Sequence, residues 1–599
     1  MSFDVHPWKI VLNGTEPEYV EQMKRIAVLG NGYMGMNGAF EEEENAHTWL
    51  GGVEMPGCDR PYPVRCMNLQ GIRVAVDGET LDLTKADIRD FSCELDLHTG
   101  VFTRRFRWMT SKGSVSFRIE RFVSMAQKEL LAIRYTIRSD YEAYIAVTPF
   151  LDARNADGRW VKLAEEESED GASILVSMHE NAQSLPCISV GAAMSCWTDG
   201  LELMHRTYES GYTAATYAAS VEAGDEMTLE KHVLCFTSRE YEQNVLTTVA
   251  LRAAARAREL GFDEMKDAQI GAWKARWASS DVRIDGDVAA QQQIRYAIYR
   301  LWSAYSGEEM AAFGMSDRTG ALPFYLLTSE ADAAKQLLFY REGTMEQHIA
   351  LAHALFAYAT CTGDLEWLRK EGLSVLCSIA RFFHCRVSEL VHDEWQERMA
   401  AWCVGLFLTQ MHRASPERVA ALDLTRSETA GMMELATRLH RAERTEAATE
   451  ELYYLNHLFD DETFRRLYEH CGLADKPQNA FSACICCILA AQANDQEKAL
   501  EMMRQTARIA LETPADWAAC WQAVVQGFGG MRMTEKLCLR PVLPAAWSGY
   551  GFCIRYRGRL LEISVQPGLV HVELLDGQPL TISLYDEEIR LEDRVERTF

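Results

Sequence analysis

The chain is short of positive charge. Its 61 lysines and arginines stand against 87 aspartates and glutamates, for a net charge of -26 over 599 residues. A surface of that sign repels phosphate backbones and anionic lipid, which argues against nucleic acid and membrane surfaces as partners. Long apolar runs are missing too. No window approaches the roughly 20 apolar residues of a membrane-spanning helix, and the N-terminal MSFDVHPWKIVLNG lacks the uninterrupted apolar core of a secretory signal. The 17 cysteines, an odd number, follow no framework and sit mostly inside apolar runs, as in CICCILAA at 484–491. Buried free thiols in a reducing cytoplasm account for them. No metal is expected at Cys484, Cys486 and Cys487: on one helix their thiols fan around the axis, and no second cysteine or histidine pair stands nearby. Low-complexity segments are also absent.

What remains is an ordinary globular composition, 48% hydrophobic and 25% charged, in a chain long enough for several domains. Residues 1–245 alternate with period two between turn signals, as in GIRVAVDGETLDLT and VFTRRFRWMTSKGSVSFRIERFVSM, and predict an N-terminal β-sandwich domain. The Asp-Gly of VDGE is a hairpin signal. Residues 246–284 turn Ala/Arg/Glu-rich and read as a helical linker. From 285 to 537 apolar residues recur at i, i+3 and i+4 with short connections, about a dozen helices, the count of an (α/α)6 barrel. Residues 538–599 return to alternation with Gly/Pro turns and predict a small C-terminal β-sandwich unit. The expected class is multidomain α+β.

RIAVLGNGYMGMNG sets Gly30, Gly32 and Gly35 in the spacing of a dinucleotide-binding turn. Its context is wrong for one. Four consecutive acids follow where a helix should open, and no second strand ends in a single acid about twenty residues on. A glycine-rich turn between strands is the expectation, with a nucleotide-binding oxidoreductase as the weaker competitor.

The same segment, LGNGYMGMNGAFEE at 29–42, resembles the N-terminal signature of glycoside hydrolase family 65, which holds the maltose, trehalose and kojibiose phosphorylases and related hydrolases. The similarity continues through 77–108 and 120–135, returns in GDLEWL (363–368) and IARFF (379–383), and is closest in WQAVVQGFGGMR (521–532) and LRPVLPAAWSGYGFCIRYRGRLLEISV (539–565). The resemblance implies a β-sandwich, a helical linker, an (α/α)6 barrel and a small β domain, in a homodimer that needs no cofactor beyond phosphate.

Within that resemblance VHDEWQERMAAW (391–402) is similar to the family's catalytic segment, usually Gly-Pro-Asp-Glu-Tyr-His-Glu. Glu394 then takes the place of the general acid, and Asp393, Trp395, Gln396, His392 and Trp402 become candidate substrate contacts. An inverting acid must stay protonated near neutral pH, and aromatic surroundings favour that. Read without the family, the same stretch is a helix start in which Asp393 acts as a cap.

Several family features are missing. GMSDRTG (314–320) runs directly into ALPFYLL, without the family's Trp-Asp-x-Glu segment. The Pro-Trp-Glu-Ser loop is absent after LLFYRE (337–342). Thr445-Glu446-Ala447-Ala448-Thr449 replaces the Lys-Gln motif of the acceptor site. In place of the family's serine pair and Ser-Ile-His stand Gln478-Asn479-Ala480-Phe481 and Cys484-Ile485-Cys486, and the Gly-Gly before WQAVV is gone. Hydroxyls and glycine amides hold phosphate; alanine and phenylalanine do not, so phosphate is doubtful as a co-substrate. Three functions follow from this pattern. The first is an inverting hydrolase whose base comes from Glu446, Glu512 or Asp516, roughly 6.5–9.5 Å from Glu394. The second is a phosphorylase with a rebuilt phosphate site. The third is a non-catalytic carbohydrate-binding or scaffold protein. All three take a small carbohydrate, an α-glucosyl disaccharide or related glycoside.

Overall fold

Period-2 alternation between 87 and 139 becomes four antiparallel strands, Asp87–Asp96, Val101–Met109, Ser114–Val123 and Leu130–Ser139, each paired with the next. They form the middle of a ten-stranded sheet that continues through Glu226–Thr237 and Ile188–Asp199. A five-stranded sheet with Ala143–Asp152 and Ile72–Val76 at its heart completes the N-terminal sandwich. The computed structural model describes residues 4–14, 17–55, 62–157, 159–167, 172–180, 188–305, 319–329, 343–390, 394–437, 448–471, 477, 479–508, 514–533 and 536–599. The chain divides into two units, Met1–Trp277 with Trp302–Met315, and Ala278–Leu301 with Ser316–Phe599.

Local turn chemistry sits where the sequence places it. Asp77 (φ 50°) and Gly78 (φ 85°) both lie in the left-handed region and close the hairpin between Ile72–Val76 and Glu79–Thr80. The Gly30/Gly32/Gly35 motif is also a hairpin, pairing Leu29–Gly30 with Met34–Met36. Asn31 fills its turn: Oδ1 accepts from the amides of Tyr33 and Met34, and Nδ2 donates to the carbonyls of Ser124 and Lys128. The amides that would cradle a pyrophosphate are therefore already used.

Two of the four consecutive acids after that hairpin point inward. Glu41 and Glu42 meet Arg104 and Arg121 in the sandwich interior, all four side chains nearly or fully buried. Arg104 Nη2 donates to Glu41 Oε2 at 2.6 Å and to Glu42 Oε1 at 2.7 Å, and Arg121 Nη1 donates to Glu41 Oε1 at 2.8 Å. Burial penalises the Glu41 carboxylate, but Arg121 and Arg104 together hold its pKa below the ordinary range. Burial pushes Glu42 upward, against Arg104 and a hydrogen bond from the Tyr135 hydroxyl and with the help of the neighbouring Glu41 charge.

The helical linker belongs to the first unit's core. A helix over Gln243–Ser280, kinked at Gly261 (φ 75°, ψ 165°), sets Leu246, Ala250, Ala254, Ala257, Phe262 and Met265 against Phe122, Leu130, Ala193, Leu234 and Phe236 of the large sheet. Glycine is required at 261, because ψ there leaves the helical range at positive φ.

In the second unit the helices that matter for the site are α1 (Leu322–Thr328), α2 (Met345–Thr362), α3 (Leu373–Cys385), α4 (Glu394–His412), α5 (Arg426–Thr437), α6 (Thr449–Tyr454), α7 (Ala480–Gln492), α8 (Gln496–Arg508) and α9 (Pro514–Gln522). α4 packs on α3 and α5, and α7 packs on α8 and α9. The run α9 ends in a π-helical turn, Ala523–Phe528, and Gly530 (φ 57°) turns the chain out of it. A side chain at Gly529 or Gly530 would run into Phe552 or the Arg540 backbone, so this glycine pair is a packing requirement as well as a helix end. The C-terminal β unit has a five-stranded sheet and a four-stranded sheet. Val282–Asp285 adds an edge strand to the former by pairing with Gly549–Tyr556, which no pattern in the sequence marked.

Lys231, on the large sheet, is fully buried and donates to the carbonyls of Gly71 (2.9 Å) and Phe150 (2.7 Å) in the facing sheet. Burial pushes its pKa down to about 7. A neutral amine has two N–H donors, which matches the two carbonyls. The unfolded chain binds the extra proton between about pH 7 and the ordinary lysine range near 10.4, so stability rises with pH across that window, by at most about 1.4 kcal/mol per pH unit. Urea melts from pH 7 to 10 are expected to show this rise in the wild type and to lose it in Lys231→Met.

Candidate active site in the helical domain

Glu394 opens α4, and the next turn carries Trp395, Arg398 and, one turn further, Trp402 at the spacing of a single helix face. Arg398 reaches α6 and grips Glu451 with two parallel bonds, Nε to Oε1 and Nη2 to Oε2, both 2.7 Å. The Glu451 side chain is 0% exposed and that of Arg398 12%. A fork-to-fork pair of this kind is a strong charge-assisted contact, and burial makes it costly to break. It fixes the start of α4 against α6, whose remaining residues are Glu450, Leu452, Tyr453 and Tyr454 after Thr449.

Around that joint lies a cavity of about 290 Å³, near the lower end of the range for small-molecule sites. α2 supplies one wall through Glu346, Gln347, Ile349, Ala350, His353, Ala354 and Ala357. The spacing is that of one helix face, and its three alanines leave the space open. Trp395, Tyr453, Tyr454 and Phe481 supply aromatic surface, with His353 edge-on to Tyr454 at 5.0 Å between ring centroids. Sugar rings present apolar C–H faces that such rings cover, while Gln347, Asn479, Ser482 and Gln522 offer hydrogen bonds. α2 begins in a capping box of Thr344 and Gln347, which orders the turn that carries Glu346.

The far side of the cavity is the start of α7. Asn479 caps it: its Oδ1 accepts from the Ser482 amide at 2.8 Å, and Ser482 Oγ accepts from the Asn479 amide at 3.2 Å. The box uses amides that would otherwise face an anion. Gln522 closes the floor, donating to the Gly320 carbonyl at 2.7 Å, and Tyr453 hydroxyl stands 3.5 Å from its Oε1. Burial pushes the Tyr453 phenol well above its ordinary range, so it serves as a neutral donor.

Of the residues singled out in the sequence, Trp395 lines the cavity. Trp402 is buried one layer behind, tilted against His353 at 6.3 Å and edge-on to Phe356 at 6.2 Å. Gln396 is half-buried in the first turn of α4 and is not part of the lining. Asp516 is half-buried in the first turn of α9, again outside the lining. His392, Asp393, Glu446 and Glu512 lie outside the described residues, as does the side chain of Glu394. The carboxylates that do line the cavity are Glu346 and Glu450, which the sequence analysis did not select. The Thr-x-x-Gln capping box marks Glu346 as a first-turn acid of α2 but not as a cavity residue. Glu450 was not detectable either, since only the fold shows which acid of the Glu450-Glu451 pair turns inward to Arg398. Among the described residues, no group of three or more His, Cys, Asp or Glu side chains is placed to hold a metal.

Comparisons with known proteins agree with this architecture. Residues 10–276 match the profile described as Glycosyl hydrolase family 65, N-terminal domain, and residues 531–591 match the C-terminal domain of the same family. The maltose phosphorylase of Bacillus subtilis (strain 168) is 27% identical over 99% of this chain and 98% of its own length. That alignment has 752 positions against a chain of 599 residues, so insertions in the relative account for the excess. A kojibiose phosphorylase of Caldanaerobacter subterraneus is 22% identical over 92% of this chain and 94% of its own. A solved structure described as a candidate kojibiose phosphorylase from the human microbiome superposes with a TM-score of 0.88 at 18% identity, covering 100% of this chain and 99% of that one. At that identity it shows the fold.

Removing one partner of the α4–α6 joint strands a buried charge. Glu451→Ala is expected to destabilise the helical domain by about 3–5 kcal/mol in urea melts. The paired replacement Arg398→Met with Glu451→Leu is expected to recover most of that loss.

Proposed function

The chain belongs to glycosyl hydrolase family 65, and from that membership we propose that its helical-domain cavity takes an α-glucosyl disaccharide or a related glycoside, with Glu394 as proton donor and water in place of phosphate as the nucleophile. The observation that carries this proposal is the position of Trp395. The residue next to Glu394 lines an aromatic-walled cavity whose charged described lining, Glu346 and Glu450, is acidic. Carboxylates repel a phosphate dianion and suit the activation of a water. The Asn479–Ser482 box, which occupies the Ser482 amide in the first turn of α7, works in the same direction.

In the reaction, the Glu394 carboxyl gives its proton to the glycosidic oxygen as the bond from that oxygen to the anomeric carbon breaks. A water adds to the opposite face of the sugar and loses a proton to a carboxylate of the lining, Glu450 or Glu346. The donor is left ionised, the base protonated, and the freed sugar has the inverted β configuration. Inversion needs the two carboxyl groups roughly 6.5–9.5 Å apart to admit the water. Such a donor has to stay protonated near neutral pH, which requires surroundings that penalise its charged form. No cofactor takes part in this scheme. Barrel closure of the helical domain, a homodimer and a cytoplasmic setting also belong to this proposal and come with the family.

A non-catalytic carbohydrate-binding role is the second possibility. The side chains that the resemblance assigns to the family's phosphate and acceptor sites differ here, Phe481 among them, while aromatic walls that would hold a sugar are present. An assay separates the two. The protein and Glu394→Gln are incubated with a panel of α-glucosyl disaccharides, with and without phosphate. Phosphate-independent release of β-glucose is expected, with the substitution lowering the rate by about 10²–10⁴. Phosphate-dependent release of a sugar phosphate would refute the choice of nucleophile. Saturable sugar binding by calorimetry, without turnover on any member of the panel, would establish the binding role.

A further inference from the structure

Behind the sugar cavity, sharing His353, Ala357 and Tyr453 as a common wall, is a recess of about 30 Å³. It has room for one or two water-sized species. Two of its polar lining residues present donors to it. Arg532, on the short strand Arg532–Met533, turns a largely buried guanidinium toward it. The partner of that guanidinium is an amide. Gln492 accepts from Nη2 at 2.5 Å and from Nε at 3.2 Å, in the amide orientation that satisfies both groups. Among the described residues no carboxylate lies within ion-pair distance of Arg532, because the neighbouring acids Asp461 and Asp586 are engaged by Arg540. Gln526 is the second donor. It is 6% exposed, its Oε1 accepts from the Tyr453 hydroxyl at 3.4 Å, and its Nε2 has no partner in the protein. The side chain of Asn456 completes the recess.

A largely buried guanidinium whose direct partner is an amide, with Asp461 and Asp586 acting on it only at longer range, stands beside a buried N–H with nothing to bond, and the pair favours an occupant that accepts hydrogen bonds and carries negative charge. Water offers the first without the second. Phosphate and sulfate, with five heavy atoms, exceed the space. A halide satisfies size, charge and acceptor character together. We infer that the recess between Arg532 and Gln526 is a binding site for a single monovalent anion of halide size, chloride in ordinary solution.

The anion would have a positioning role. With Nε2 of Gln526 committed to it, Oε1 of the same amide is committed to Tyr453. The Tyr453 hydroxyl also reaches Gln522, and Gln522 holds the Gly320 carbonyl at the cavity floor. Occupancy of the recess is thereby coupled to the shape of the sugar cavity. Binding of the anion itself does not depend on which chemistry the cavity performs.

The test is thermal unfolding of the full chain at fixed ionic strength, with sodium gluconate replaced stepwise by sodium chloride or bromide. A saturable rise of a few degrees in chloride and bromide is expected for the wild type, with no such rise in Arg532→Gln. Gln526→Leu gives the same reading if the arginine variant fails to fold. Crystals grown in bromide should show one anomalous peak between Arg532 and Gln526. Identical melting in chloride and gluconate, a full chloride response in both variants, or bromide crystals without that peak would each overturn the site.

Discussion

The helical domain is organised around one buried ion pair. Arg398 and Glu451 have little to do with each other in sequence, yet their fork-to-fork contact decides where the start of α4 lies relative to α6. Everything at the cavity follows from that joint: Trp395 one turn before Arg398, Glu450 beside Glu451, and the two tyrosines that follow on α6. Apolar packing alone would tolerate a sliding or rotating α6, which is only six residues long. A bidentate contact specifies both distance and angle, and that is what a site needs from its scaffold. The N-terminal sandwich solves a related problem with the same chemistry. There Glu41, Glu42, Arg104 and Arg121 tie the loop after the glycine-rich hairpin to the large sheet.

The family relationship concerns the scaffold, and the chemistry of the cavity is a separate matter. Both ends of the chain retain the family pattern, and the fold superposes closely on a family structure. Asn479 and Ser482 cap the start of α7 from within the chain, each side chain accepting from the other's backbone amide. A fold held by its core and by buried ion pairs can accept exchanges in its loops and cavity walls without losing its shape.

How much of this was legible in advance depended on the range of the interaction. Strands were visible because each repeats its own signal every second residue, and Asp77-Gly78 announced its hairpin through backbone conformation alone. The glycine motif at 30–35 was separable from a nucleotide-binding turn because the following residues could not begin a helix. The linker was visible as a helix, but its Ala250–Ala254–Ala257 face gave no sign of docking on the sandwich, since alanines at helical spacing also suit a solvated helix. Val282–Asp285 escaped because four residues carry too little periodicity, and its identity as a strand is conferred by Gly549–Tyr556, far along the chain. The cavity acids escaped for the same reason. Glu346 is the one acid of α2 and Glu450 one of two on α6, and only tertiary contacts show that they face the cavity. The recess at Arg532 and Gln526 was hidden in a segment, WQAVVQGFGGMR, whose helix-plus-glycine pattern needs no ligand.

Glu450 and Glu451 are neighbours with opposite duties, one facing the cavity and one locked in the protein interior. Successive residues on a helix lie about 100° apart, so the two carboxylates are rigidly geared to each other. Evolution cannot retune the direction of the first without unseating the second. Any change that turns α6 by one residue's worth of rotation would bring one acid to the other's position and carry the second away from both. The short helix therefore behaves as an indexed dial with a single usable setting, and variation in this cavity is channelled to the walls that α6 does not carry.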